Sequence, residues 1–307
     1  MMRTLKDYLV IWLKGIGMGA SDVVPGVSGG TIAFITGIYE ELIHSIKSVN
    51  GEALKLILKF KFIDFWKKIN GNFLLAVFSG ILISIFSLAH LIEHLLTNHP
   101  VYIWSFFFGL IVASVIYIIK DIKKWNLSIV LSLIVGFVLA FWITTITPAE
   151  TSTSSWFIFL SGSIAICAMI LPGISGSFIL VLLGKYQYIL SAVTEFKISV
   201  IAIFAAGAVV GLISFSNLLS WLLKKFRFQT IALLAGFMGG SLNKIWPWKE
   251  TLESFTDRHG ELQPLIQRNI LPSDTSLNSD FYPAILIAVA GFLIIFLITR
   301  LAGASDE

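Results

Sequence analysis

Two segments of the 307-residue chain bring together residue types that can do chemistry. They are Val24-Pro25-Gly26-Val27-Ser28-Gly29-Gly30-Thr31 and Leu171-Pro172-Gly173-Ile174-Ser175-Gly176-Ser177-Phe178. In each, a Pro-Gly pair sets a tight turn, and a helix that starts directly after it carries N–H groups with no intrahelical partner. These donors, the positive end of the helix dipole and the hydroxyls of Ser28, Thr31, Ser175 and Ser177 would together make an anion site. Gly29, Gly30 and Gly176 would let a phosphate reach the backbone itself. A second reading needs no ligand: Pro25-Gly26 and Pro172-Gly173 form the turns, the serines cap the helices, and the small residues admit close helix packing. The motif occurs twice, 147 positions apart from Ser28 to Ser175, and duplication weighs towards binding.

Charged residues lie near the first motif inside an apolar stretch, where a charge is costly and is usually partnered or functional. Lys14 has two open readings, a cation for the phosphate or a side chain snorkelling to the cytoplasmic face. Asp22 directly precedes the turn and aligns with Met169 in the second copy. One motif thus has an acid that the other lacks, which suggests coupling to a proton or cation; the alternative is local backbone capping. Glu40 is a further candidate for coupling, although with Glu41 it also suits an interfacial position. His90, Glu93, His94 and His99 gather at the outer end of an apolar run; the Glu93-His94 spacing suits no one-face chelate, although His90 and His94, four apart, share a helix face. They read as a solvated rim, and no metal site or cofactor is expected. The single cysteine, Cys167, excludes an intrachain disulfide and a multi-thiolate zinc site.

The elements that position these residues must be membrane helices. Hydrophobic residues make up 56% of the chain and charged residues 13%, about half the usual quarter, and mean hydropathy is +0.87. That excludes a water-soluble globular protein, and the absence of period-2 alternation excludes a barrel. The net charge of +4 does not indicate nucleic acid, because the basic residues sit in short clusters beside apolar runs. Arg3 and Lys6 precede an apolar run that Lys14 interrupts, with no small-residue cleavage site after it, so the N-terminus reads as mature structure.

Self-similarity extends beyond the motifs. The same shift pairs Gly15 with Gly162, Gly37 with Gly184 and Tyr39 with Tyr186; other shifts pair Gly80 with Gly207, Gly109 with Gly236 and Gly136 with Gly291. The chain therefore divides into repeats at 1–150 and 151–307. The first holds a hairpin at 7–43, an amphipathic linker at 44–70 and spans at 72–97, 101–120 and 128–147. The second holds a hairpin at 156–190, spans at 198–223 and 229–245, a polar outer loop at 246–280 and a span at 281–300. The apolar arms flanking each motif are roughly 14 residues, ~21 Å as helix against a ~30 Å hydrocarbon core, so the hairpins must be re-entrant.

Fifteen of the 22 lysines and arginines fall in segments on one side of this arrangement, which marks that side, with both termini, as cytoplasmic. Three full spans per half is odd, so the halves are inverted about an axis in the membrane plane. The linker mixes Lys55, Lys59, Lys61, Lys67 and Lys68 with Leu54, Leu58, Phe62, Phe65 and Trp66, a pattern that suits a helix lying on anionic inner-leaflet lipid. The expected fold is an all-α polytopic membrane protein, an inverted repeat with one re-entrant helical hairpin and three transmembrane helices in each half.

The signatures Asp22-Val-Val-Pro-Gly-Val-Ser-Gly-Gly-Thr31 with Gly37-Ile-Tyr-Glu-Glu41, and Leu171-Pro-Gly-Ile-Ser-Gly-Ser177, resemble those of the PopT family of polyprenyl-phosphate transporters, many of whose members are known only as a domain of unknown function. The resemblance covers nearly the whole chain. It implies a flippase that moves undecaprenyl phosphate from the outer to the inner leaflet of the bacterial cytoplasmic membrane, recycling the lipid carrier of cell-wall synthesis. The matching positions are Asp22, Pro25, Gly26, Ser28, Gly29, Gly30 and Thr31, then Pro172, Gly173, Ser175, Gly176 and Ser177, without departure from the motifs. Physics agrees on the substrate class, since a phosphate head group needs a polar site at depth and a prenyl tail needs an opening to lipid. Two rivals remain. A membrane lipid pyrophosphate phosphatase uses similar hairpins, but neither motif holds the arginine or histidine that phosphoryl transfer usually needs, so no enzyme is expected. A small-anion or metal-ion transporter would use the same helix ends without the lipid opening.

Overall fold

The computed structural model describes residues 3–24, 27–149, 151–256, 262–272 and 278–303. The chain begins with α1 (Leu5–Val23), α2 (Gly29–Ile35), α3 (Tyr39–Lys47), α4 (Gly51–Leu58), α5 (Phe62–Lys68), α6 (Gly71–Asn98), α7 (Pro100–Asp121) and α8 (Leu127–Thr145). It continues with α9 (Ser155–Ile170), α10 (Gly176–Leu182), α11 (Tyr186–Thr194), α12 (Ile198–Lys225), α13 (Arg227–Ser241), the strands β1 (Lys249–Thr256) and β2 (Leu262–Asn269), and α14 (Asn278–Gly303). Among the described residues five helices, α6, α7, α8, α12 and α14, are long and apolar enough to cross a membrane. At 28 residues each, α6 and α12 rise ~42 Å, more than a ~30 Å core requires. Their outer surfaces suit lipid: Phe86 on α6 is 79% exposed and Leu286 on α14 is 70% exposed.

Packing of the long helices is paired. α1 lies along α6 and α9 along α12, whereas α8 packs on α13 and α14 on α7, joining elements distant in sequence. Each seam is closed by glycines against a facing backbone. A Cβ on Gly15 would stand 2.4 Å from the Val77 carbonyl oxygen and one on Gly80 2.3 Å from that of Trp12; Gly162 and Gly207 meet Phe204 and Phe159 in the same way at 2.3 and 1.9 Å. Across the other two seams Gly136 faces Leu233 at 2.1 Å and Gly109 faces Ala288 at 1.8 Å. Lipid tails give helices no hydrophobic reason to associate, so contact depends on backbones approaching this closely. Apart from Gly37 with Gly184, the glycine matches found along the sequence therefore have a packing cause.

The helix that returns from each motif is two helices, not one. α2 gives way to α3, and α10 to α11 with a bend of 109°. Both breaks are the same hydrogen-bonded turn. Ile38 N–H donates to the Ala33 carbonyl at 3.0 Å and Gly37 N–H to Phe34 at 3.3 Å; Lys185 N–H donates to Leu180 at 2.8 Å and Gly184 N–H to Val181 at 2.9 Å. Gly37 and Gly184 take φ of +75° and +60°, which completes this double bond at a helix C-terminus.

Other departures from the hydropathy reading have local causes. The linker forms two short helices, α4 and α5, broken at Phe60, whose φ is +55°. α13 has 15 residues and yields to turns after Ser241, where Gly239, Gly240 and Asn243 weaken a helix. The outer loop is not irregular: β1 and β2 pair antiparallel from Lys249 opposite Asn269 to Thr256 opposite Leu262, so the all-helical description holds for the membrane part alone.

Candidate functional site at the paired hairpin tips

α2 begins at Gly29 because Ser28 holds an extended conformation and its Oγ accepts the Gly30 N–H at 3.1 Å, the usual work of an N-cap serine. The preceding N–H, that of Gly29, donates to Asp22 Oδ1 at 2.7 Å. The chain folds back tightly enough that a Cβ on Gly29 would stand 2.5 Å from Asp22 Oδ2. The start of α2 thus already holds a carboxylate. Pro25 and Gly26 lie outside the described residues.

The second motif turns at Pro172 and Gly173, with Gly173 at φ +91°, and α10 begins at Gly176. Here no side chain caps the helix. The Ser175 and Ser177 hydroxyls lie 2.7 Å apart and bond each other, and Met169 stands where the first motif has Asp22. The two starts are therefore unequal, one closed by an acid and one without a cap.

The tips also touch. Ser28 Oγ donates to the Met169 carbonyl at 2.9 Å, Thr31 Oγ1 accepts the Gly173 N–H at 2.9 Å, and the Tyr39 hydroxyl donates to the Ile170 carbonyl at 3.1 Å. Gly30 allows the approach, since a Cβ there would meet the Ile170 carbonyl oxygen at 2.6 Å. Ser28, Thr31 and Ser175 are buried, as are Gly29, Gly30, Pro172, Gly173 and Gly176; Ser177 is partly buried. The structure thus brings Asp22, Ser28, Gly29, Gly30, Thr31 and the second motif into one region. Tyr39, which the repeat pairs with Tyr186, joins them as a core residue.

Lys14 and Glu40 lie elsewhere. Lys14 Nζ donates to the Thr36 carbonyl at 2.7 Å, at the C-terminal end of α2 and about 12 Å of helical rise from Ser28. Glu40 pairs with Arg227 at 2.8 Å, and its neighbour Glu41 with Arg3 at 2.5 Å and with Asn70 at 2.7 Å. Around His90 and His94 an open groove also touches Glu93, Thr97 and Asn98. Among the described residues no group of three or more His, Cys, Asp or Glu side chains is placed to hold a metal ion.

Five apolar spans around buried, polar, non-helical backbone define a multi-pass helical membrane protein. The chain belongs to the undecaprenyl phosphate translocase-like family, whose sequence model matches residues 18–263. It is 48% identical over 293 residues to a polyprenyl-phosphate transporter of Vibrio cholerae serotype O1, covering 94% of this chain and 95% of that protein. It is 34% identical over 254 residues to a polyprenyl-phosphate transporter of Staphylococcus aureus, covering 76% of this chain and 85% of that one. No solved structure matches.

Proposed function

We propose that this chain is a transporter, not an enzyme, that carries undecaprenyl phosphate from the outer to the inner leaflet of the bacterial cytoplasmic membrane and so recycles the carrier of cell-wall synthesis. The observation that carries the reading is the meeting of two unequal helix starts inside the bundle, one holding a carboxylate and the other uncapped beside two hydroxyls. The names of the relatives support the substrate class. The phosphate docks at Ser175, Gly176 and Ser177, and reaches Ser28, Gly29, Gly30 and Thr31 when the tips separate. Asp22 occupies the place of an anion at α2. A proton on Asp22 weakens its hold on the Gly29 N–H and opens that end to the phosphate, which couples transfer to protons. Glu40 and Lys14 act at the cytoplasmic side of this path, and the prenyl tail stays in hydrocarbon.

The architecture in this reading is an inverted repeat with re-entrant hairpins, both termini cytoplasmic, and α4 and α5 resting on anionic inner-leaflet lipid. The matched turns at Gly37 and Gly184 support it. So do the matched seams, since α1 on α6 corresponds to α9 on α12, and α7 on α14 to α13 on α8. A leaflet-resolved assay of undecaprenyl phosphate in reconstituted vesicles, with and without a pH gradient, tests it. Protein-dependent movement that responds to the gradient is expected. No movement, with phosphate released from lipid pyrophosphate or a soluble anion taken up instead, would overturn it.

A further inference from the structure

The C-terminal end of α13 and the start of β1 hold a cluster of hydrogen-bond donors short of acceptors. Lys244 stands one turn beyond Ser241, and Ser241 Oγ lies 2.9 Å from where a Cβ on Gly173 would be. The Lys244 ammonium sits 4.8 Å from the Phe178 ring centroid, next in sequence to Ser177. No carboxylate or other acceptor meets it among the described residues. Lys249 lies against it from β1. Its Nζ donates to the Lys244 carbonyl at 2.5 Å and rests 3.8 Å from the Trp104 ring centroid. Trp248, next in sequence to Lys249, is 7% exposed, and its buried indole N–H has no acceptor among the described residues. Burial pushes the Lys249 ammonium well below its usual range, and the charge of Lys244 adds to this. Of the outer acids in view, Glu250 pairs with Arg268, Asp280 accepts from Tyr102, and Glu253 is exposed.

Two shielded ammonium groups side by side and an orphaned indole N–H are a poor arrangement for a protein alone. Buried polar groups are nearly always paired, and an exception points to a missing water or ion. An anion supplies what these groups lack: among the described residues Lys244 Nζ and the Trp248 indole N–H have no acceptor, and Lys249 Nζ has the Lys244 carbonyl. The aromatic rings suit the same role: Trp246 packs on Phe108 and Trp248, and Trp248 on Phe281, which resembles the tryptophan-rich belt at a membrane–water interface. We infer that Lys244, Trp248 and Lys249 form a binding site for a phosphate monoester, where the head group of an outer-leaflet lipid is captured before it passes to Ser175 and Ser177. The inference rests on the transport reading above and adds to it the residues that first engage the substrate.

The test uses the full chain, purified in detergent and reconstituted in vesicles, with three probes: farnesyl phosphate, farnesol and inorganic phosphate. Lys244→Gln is the first variant, because among the described residues Lys244 Nζ makes no hydrogen bond whose loss would unfold the protein. Lys244→Arg with Lys249→Arg keeps the charge and controls for a structural role. The expected result is at least tenfold weaker binding of farnesyl phosphate by Lys244→Gln, retention by the double arginine variant, and no binding of farnesol by either. Competition by inorganic phosphate at similar concentration would assign the site to free phosphate and overturn the lipid assignment. Wild-type affinity in a folded Lys244→Gln variant, with undecaprenyl phosphate still moved between leaflets, would overturn this site and leave the transport reading standing. Failure of the wild-type protein to bind or move any prenyl phosphate would overturn both.

Discussion

Asp22 and Ser28 have different duties at the same helix start, and substitutions should separate them. Asp22→Asn keeps a weaker hydrogen bond to Gly29 but removes the charge and its titration. It is expected to cost about 1 kcal/mol of stability and to flatten the dependence of transport on pH or on a cation gradient. A variant that transports with the unchanged profile would remove Asp22 from coupling. Ser28→Ala loses both the cap to Gly30 and the bond to the Met169 carbonyl, so about 2 kcal/mol of stability should go with it. Replacing Ser175 and Ser177 together by alanine breaks only their mutual bond. That variant should unfold close to wild type but lose affinity for a prenyl phosphate; thermal unfolding read beside a binding titration checks the contrast. The Ser28 cap is legible in sequence because it acts on a residue two positions away. The reach from Asp22 to Gly29 is not, because it depends on how the chain folds back across the intervening turn, and capping and coupling were both open readings of the acid. Likewise Lys244 falls at the end of the 229–245 span and Lys249 in the outer loop, and nothing in their immediate sequence announces the packing against Phe178 and Trp104.

Glycine serves the elements in two distinct ways, and alanine distinguishes them. Gly37 has open space where a Cβ would go but takes φ +75°, so Gly37→Ala should cost only the left-handed strain of one residue, ~1–2 kcal/mol. Gly109 is helical, yet a Cβ there would stand 1.8 Å from the Ala288 carbonyl oxygen. Gly109→Ala must push α7 off α14, and about 3 kcal/mol or more is expected, as for other overpacked interiors. Denaturation of the two purified variants compares them, and equal stabilities would contradict this account of the seam. Among the elements, the five long helices announce themselves, because a hydrocarbon solvent leaves a run of about 20 apolar residues little else to be. The break between α2 and α3 escapes such a reading, since Thr36-Gly37-Ile38 lowers hydropathy very little. The β1–β2 pair escapes it for the opposite reason: a polar stretch read by hydropathy is simply a loop.

At the scale of the molecule the helices are interleaved, and this bears on how the protein sits in its membrane. α7 and α8 find their partners in α14 and α13, so two of the four long seams join the two sequence halves. If the halves are inverted, β1–β2 must project on one side of the bilayer while α4, α5 and the turn between α7 and α8 lie on the other. Charge supports this, with Lys55, Lys59, Lys61, Lys67, Lys68, Lys123 and Lys124 gathered on the second side. Labelling decides it. The single native thiol is Cys167, whose Sγ touches the Gly211 carbonyl at 3.6 Å, so Cys167→Ser gives a thiol-free background with little change in packing. Cysteines placed one at a time for the exposed residues Lys59, Lys123 and Glu253 then report on each face in intact cells. A membrane-impermeant maleimide should modify the Glu253→Cys protein from outside. It should reach Lys59→Cys and Lys123→Cys only after the membrane is opened. Labelling of all three from one side would break the inverted arrangement, and with it the outer-to-inner path proposed from Ser175 and Ser177 to Ser28 and Thr31.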